Sequence, residues 1–144
     1  MTMSMAELLT AGAMVALGAI VGTPARFFVS GVIARRFGET FPWGTLVVNV
    51  SGCVIMGVVA AFATIHGLSP QSPAWLLVVT GFLGSYTTVS SFALQTRALV
   101  GDGEYRPALG YILFSLLLCL TAVGAGFGAS TLALAGGALA GGRP

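Results

Sequence analysis

The chain has 144 residues, of which 56% are hydrophobic and only 7% charged, and its mean hydropathy is +0.98. Soluble domains carry roughly 25% charged residues, so the composition describes an all-α integral membrane protein with no room for a sizeable soluble domain. A formal charge of +2 is too small for a nucleic-acid partner and leaves lipid as the expected surroundings.

The N-terminus, MTMSMAELLTAGAM, has no basic stretch and no convincing cleavage site. It does not read as a secretory signal, and the first apolar run is expected to persist as a helix. That run extends roughly over residues 6–33 and ends at Arg35-Arg36-Phe37-Gly38. Within it, Arg26 sits beside Gly22 and Pro24. An arginine in mid-membrane costs a few kcal/mol even on lenient insertion scales, so it faces a cavity or a partner, or snorkels to the interface. At a pore mouth it would concentrate anions.

A second apolar segment covers about residues 44–65 and closes at His66-Gly67-Leu68-Ser69-Pro70. Its one strongly polar side chain is Asn49, which shares a helical face with Gly52, Cys53 and Met56. Spacing alone leaves two roles for Asn49 and favours the first: glue between membrane helices, or a pore-lining amide with two donors.

The third segment, residues 74–99, is long enough to span a bilayer but is interrupted. Gly81 and Gly84 precede Ser85, Tyr86, Thr87, Thr88, Ser90 and Ser91, with Gln95 one turn on. Hydroxyl side chains compete for backbone hydrogen bonds and glycine lowers helix propensity, so the helix is expected to break at mid-membrane. Such irregular backbone is tolerated where protein buries it or where it lines a wet cavity. Phe92, just past the break, either packs in the core or offers an anion the positive edge of its ring.

After the turn Gly101-Asp102-Gly103-Glu104, a fourth segment runs over about residues 107–134. It carries Tyr111, Ser115 and Cys119 at four-residue spacing, a continuous polar stripe whose role could equally be packing. Short Gly- and Pro-rich connections suit a compact bundle of four transmembrane helices over residues 1–134. The Gly/Ala tail, residues 135–144, is expected to be poorly ordered.

Arg35, Arg36, Arg97 and Arg106 fall on one side of an alternating topology and Arg143 on the other, which would place both termini outside. Cys53 and Cys119 lie in apolar segments without metal-ligand spacing and read as buried thiols. No nucleophile with a base, no cluster of His, Cys and carboxylates and no phosphate loop is visible, so the reading is not an enzyme.

GAIVGTPARF (residues 18–27), WGTLVVNVSGCVIMG (43–57) and GFLGSYTTVSSF (81–92) resemble, in that order, the signature segments of the Fluc/CrcB fluoride-channel family. The polar stripe of the fourth segment matches in position, and the resemblance covers roughly residues 18–128. The combination of segments is far more specific than any one of them.

The resemblance implies a bacterial plasma-membrane channel exporting fluoride passively, built as an antiparallel, dual-topology dimer with two pores around a central structural Na+. Carried over by motif, Gly84 and Thr87 would bind that sodium through backbone carbonyls, the hard oxygen ligands a broken helix frees. Asn49 corresponds to the pore asparagine, Arg26 to the vestibule arginine, and Tyr111 and Ser115 to the polar track. Thr88, Ser90 and Ser91 correspond to hydroxyls of the break. Cys119 stands where a serine is usual, and Gln95 where a glutamate is frequent. The family pattern has two pore phenylalanines, but here the first is Val89 and only Phe92 remains. With the uneven arginines, this implies either a homodimer of altered permeation or half of a heterodimer. Two other classes stand beside it: a small multidrug-type transporter, which needs an intramembrane carboxylate and has only Glu7 to offer, and a non-conducting accessory subunit.

Overall fold

The computed structural model describes residues 4–38 and 40–141, with side chains described through residue 136. Among the described residues the secondary structure is helical, and four helices are long and apolar enough to cross a membrane.

The first helix, Met5–Phe37, opens on a reciprocal cap. The Ser4 backbone N–H donates to Glu7 Oε2 at 2.8 Å, and the Glu7 N–H donates to Ser4 Oγ at 3.2 Å, which satisfies two of the donors a helix start leaves orphaned. The second helix, Trp43–His66, ends where Gly67 turns left-handed at φ 64°, a conformation glycine adopts without steric cost.

The third transmembrane helix spans Pro73–Gly101. It starts at Pro73, whose missing N–H is no loss at that position, beneath a cap in which Ser72 Oγ accepts from the Trp75 N–H. Residues Leu76–Leu83 are wound as a π-helix, Gly84–Tyr86 return to α geometry, and a new helix, Val89–Gly101, follows the break. The fourth helix, Tyr105–Gly141, enters the Gly/Ala run. Residues 142–144, which include Arg143 and the end of the expected tail, lie outside the described residues, as does Glu39.

Close backbone contacts assemble the bundle, two of them between facing glycines. Helix one meets the π-helical stretch where Gly18 faces Gly81; a Cβ on Gly81 would stand 2.6 Å from the Val15 carbonyl oxygen and 3.0 Å from the Gly18 Cα. Helix two meets helix four where Gly57 faces Val123 and Gly126; a Cβ on Gly126 would lie 2.5 Å from the Val54 carbonyl oxygen. Small residues at such crossings let membrane helices approach closely enough for dispersion to hold them. The fully enclosed core is small, with Tyr111 and Val48 its largest members, whereas Ile20, Phe27, Phe28, Leu94 and Leu120 are exposed. An apolar exterior over a sparse core is what a lipid-embedded chain requires, because lipid supplies the apolar contact that a soluble fold must build internally.

Candidate functional site

The centre of the third helix is broken at two residues. Thr87 has φ −77° and ψ 159°, and Thr88 has φ −153° and ψ 121°. In a continuous helix the Thr88 N–H would bond to the Gly84 carbonyl four residues back. Here it donates to Asn49 Oδ1 at 2.8 Å, and Asn49 Nδ2 donates to the Thr88 carbonyl at 2.9 Å. One amide from helix two thus satisfies both backbone groups of the residue that breaks helix three. Left unpaired, each would cost about 1–3 kcal/mol at this depth.

Asn49 is therefore glue within one chain, holding a break open, and it retains a second Nδ2 hydrogen for another acceptor. Helix two also makes room for the break at Gly52, where a Cβ would collide with Thr87 Cγ2.

Side chains finish both ends of the interruption. Thr87 Oγ1 donates to the Leu83 carbonyl at 2.9 Å, closing the first half. Thr88 Oγ1 accepts from the Ser91 N–H at 3.2 Å as the N-cap of the second half. The same hydroxyl lies 3.1 Å from Ser90 Oγ and 3.2 Å from Ser91 Oγ, forming a cluster of three hydroxyls. Tyr86, stacked on Phe82, pairs its hydroxyl with Ser51 Oγ at 2.9 Å.

Two cavities adjoin the cluster. The inner one, of about 260 Å³, is lined by Thr23, Arg26, Ser30, Thr45, Thr88 and Ser91 together with Phe27 and Val48. It holds one guanidinium, five hydroxyl side chains and no carboxylate. The outer groove, of about 580 Å³, shares Phe27, Ser30, Thr45 and Ser91 with it and continues past Phe41 and Gln95 to Asp102. Arg26 thus faces the break across a donor-lined space.

On the other side of Gln95 stands the polar stripe of helix four. Tyr111 is fully buried, donates its hydroxyl to Gln95 Oε1 at 3.1 Å and lies beside Thr45. Phe41 meets its ring edge-on at 5.5 Å, and the Phe92 ring stands 5.1 Å away, tilted by 44°. Ser115, one turn further, is also buried.

The sequence-derived residues therefore form two connected groups. Asn49, Thr88, Ser90, Ser91 and Arg26 gather around the break, and Phe92 and Tyr111 meet beside it. Ser115 lines neither cavity. Val89 is 79% exposed, and Gly84 also lies on an exposed face of the single chain.

Thr45 and Thr23 were not anticipated, and Gln95 was visible as the polar residue one turn past the break and as a departure from the family pattern, without a role. Thr45 precedes Asn49 by one helical turn and so shares its face, a periodic signal that points to it. Gln95 follows Ser91 by the same spacing.

Four apolar spans, one of them interrupted by two extended residues whose backbone is bound by a side-chain amide, define a multi-pass membrane protein with a polar, donor-rich site at the interruption. The family described as "CrcB-like protein, Camphor Resistance (CrcB)" matches residues 13–127. Among relatives, "Fluoride-specific ion channel FluC 2" of Rhodopseudomonas palustris (strain BisB18) is 55% identical over 127 residues, covering 88% of this chain and 97% of that protein. A protein of the same description from Bradyrhizobium diazoefficiens is 54% identical over 114 residues, 78% of this chain and 83% of its own length. "Fluoride-specific ion channel FluC 4" of Brucella abortus is 49% identical over 119 residues, 82% and 90% of the two chains. The chain belongs to the CrcB family of bacterial fluoride-specific ion channels.

Proposed function

We propose that this chain conducts fluoride passively out of the bacterial cell through a path running along the inner cavity, the hydroxyl cluster and the Phe92–Tyr111 pair. The observation that carries the reading is the donor-lined cavity in which Arg26 faces Thr88 and Ser91 without any carboxylate. Fluoride is small and strongly hydrated, so a path for it must replace water with donors yet release the ion again. Neutral hydroxyls, the free Nδ2 hydrogen of Asn49 and the edge of Phe92 meet both demands. Arg26 at the cavity raises the local anion concentration.

The same geometry suits a structural sodium ion between two copies. Because the Thr88 N–H is taken by Asn49, the Gly84 carbonyl loses its helical partner, and the extended Thr87 turns its own carbonyl out of the helix. Gly84 and Thr87 would hold the ion with hard oxygen ligands, and the exposure of Gly84 suits a partner copy completing the set. When bound, the ion would tie the two breaks together by charge–dipole attraction.

A second reading, half of a heterodimer, is favoured by Val89. It is 79% exposed where a partner would pack, and it lacks the ring that the family pattern places there. A proton-coupled transporter fits less well: Glu7 lies in the first turn of helix one and is spent on capping Ser4.

Expression of the chain in a bacterium lacking its own fluoride exporters tests the reading. Restored growth in fluoride that is lost with Arg26→Ala supports it. Continued fluoride sensitivity, with the protein present in the membrane, contradicts it.

A further inference from the structure

We infer that Cys53 and Cys119 together form a two-coordinate site for a soft monovalent cation of the Cu+ or Ag+ class, bridging helices two and four. Helices two and four run parallel and in register. Phe41, just before helix two, and Thr45, in its first turn, meet Tyr111 near the start of helix four. Twelve residues beyond Thr45, Gly57 meets Val123, which lies twelve beyond Tyr111. A constant offset between parallel helices puts Cys53, one turn before Gly57, opposite Cys119, one turn before Val123. Cys119 neighbours Cys53, and neither thiol is in a disulfide.

Both thiols are half-buried rather than sealed. Cys53 follows Asn49 by one turn and Cys119 follows Ser115 by one turn, so the pair continues the polar faces of both helices. Among the described residues no group of three or more His, Cys, Asp or Glu side chains gathers anywhere. The chain thus offers no third ligand for Zn2+, which prefers four. Two thiols without carboxylate or imidazole select a soft cation that accepts linear coordination. On binding, each thiol releases its proton to water and donates a sulfur lone pair. No oxidation state changes, and the site gains a net charge of −1 from two thiolates and one M+.

The glycine crossing makes the site a chelate. Gly57 and Gly126 hold the two backbones in contact one turn away, so the second sulfur is presented at high effective concentration. Loss of either cysteine should therefore weaken binding by about 100-fold or more.

The test uses the purified full chain in detergent, in chloride-free nitrate buffer, titrated with Ag+ alone. Bound silver is counted by mass spectrometry, and thiol accessibility by alkylation with a maleimide. The expected result is one Ag+ per chain, protection of both thiols at the same silver concentration, and a higher melting temperature for the wild type. Cys53→Ser and Cys119→Ser should each lose the tight binding and the thermal shift. Cys53→Ala provides the same reading should the serine disturb assembly, which chromatography reports. Single-cysteine variants that bind silver as tightly as the wild type would overturn the inference. So would thiols of the wild-type protein that are alkylated at the same rate with and without Ag+.

Discussion

Replacing Asn49 by aspartate exchanges one atom and separates the two jobs assigned to this side chain. The carboxylate keeps the acceptor that meets the Thr88 N–H at 2.8 Å, but it loses the donor that meets the Thr88 carbonyl at 2.9 Å. An unpaired carbonyl costs about 1–3 kcal/mol, which weakens the break without abolishing it. The effect on the anion is larger. A unit negative charge about 4 Å from a passing fluoride, at an effective dielectric constant near 20, repels it by ~4 kcal/mol. That corresponds to a loss of about a thousandfold in occupancy. Protonation reverses both defects, because the neutral carboxyl accepts from the Thr88 N–H, donates to the Thr88 carbonyl and carries no charge.

Fluoride efflux from liposomes holding Asn49→Asp should accordingly be near background at pH 8 and rise as the pH falls. The wild type should change far less over the same range. Efflux is normalised to assembled protein counted by chromatography. A variant that assembles normally and conducts at the wild-type rate at pH 8 would refute the placement of Asn49 beside the ion.

Val89→Phe should leave the chain's own fold intact, because position 89 is 79% exposed in the single chain, and with the ring of the family pattern restored its liposome efflux should equal or exceed the wild-type rate. Abolition of vigorous wild-type flux by this change would show valine to be a fitted part of the pore. Thr88→Ala removes the cap of the second half-helix, and its thermal stability should fall by about 1 kcal/mol. Gly126→Ala forces a methyl group against the Val54 carbonyl, so overpacking should destabilise the helix two–helix four contact by about 1–3 kcal/mol, read from thermal unfolding in detergent. On the proposed sodium site at Gly84 and Thr87 between two copies, exchange of external and internal Na+ for N-methylglucamine should lower the cross-linking yield between copies; an unchanged yield at exhaustive exchange would count against the proposed ion.

The four spans were legible because an apolar run of about twenty residues has few other uses, and each observed helix encloses the run that announces it, the fourth continuing to Gly141 beyond the expected 134. Met5–Phe37 encloses the expected 6–33, and Trp43–His66 encloses 44–65. The break was legible in the hydroxyl run, but its position was not. Glycine and hydroxyl content spread the expectation over residues 81–91, whereas the chain opens only at Thr87 and Thr88. Gly81 is instead used for a helix crossing, within π-helical turns that no local pattern announced.

The partner of Asn49 lies 39 residues away, and periodicity along one helix carries no record of such a pairing. Tyr111 and Gln95 are joined in the same way across 16 residues. The faces themselves were readable, since Asn49 with Cys53 and Tyr111 with Cys119 each follow the helical repeat. What joins those faces is the backbone contact at Gly57 and Gly126, a property of the assembled bundle.

Efflux from liposomes decides whether this chain, with no other protein, forms the passive, fluoride-selective path proposed for it. Vesicles loaded with equal fluoride and chloride and containing only this protein should release fluoride rapidly into an anion-poor medium once a potassium ionophore compensates the charge. No proton gradient or nucleotide should be needed, and chloride should be retained. Retention of both ions by vesicles in which the protein is assembled, or release of chloride alongside fluoride, would contradict the account.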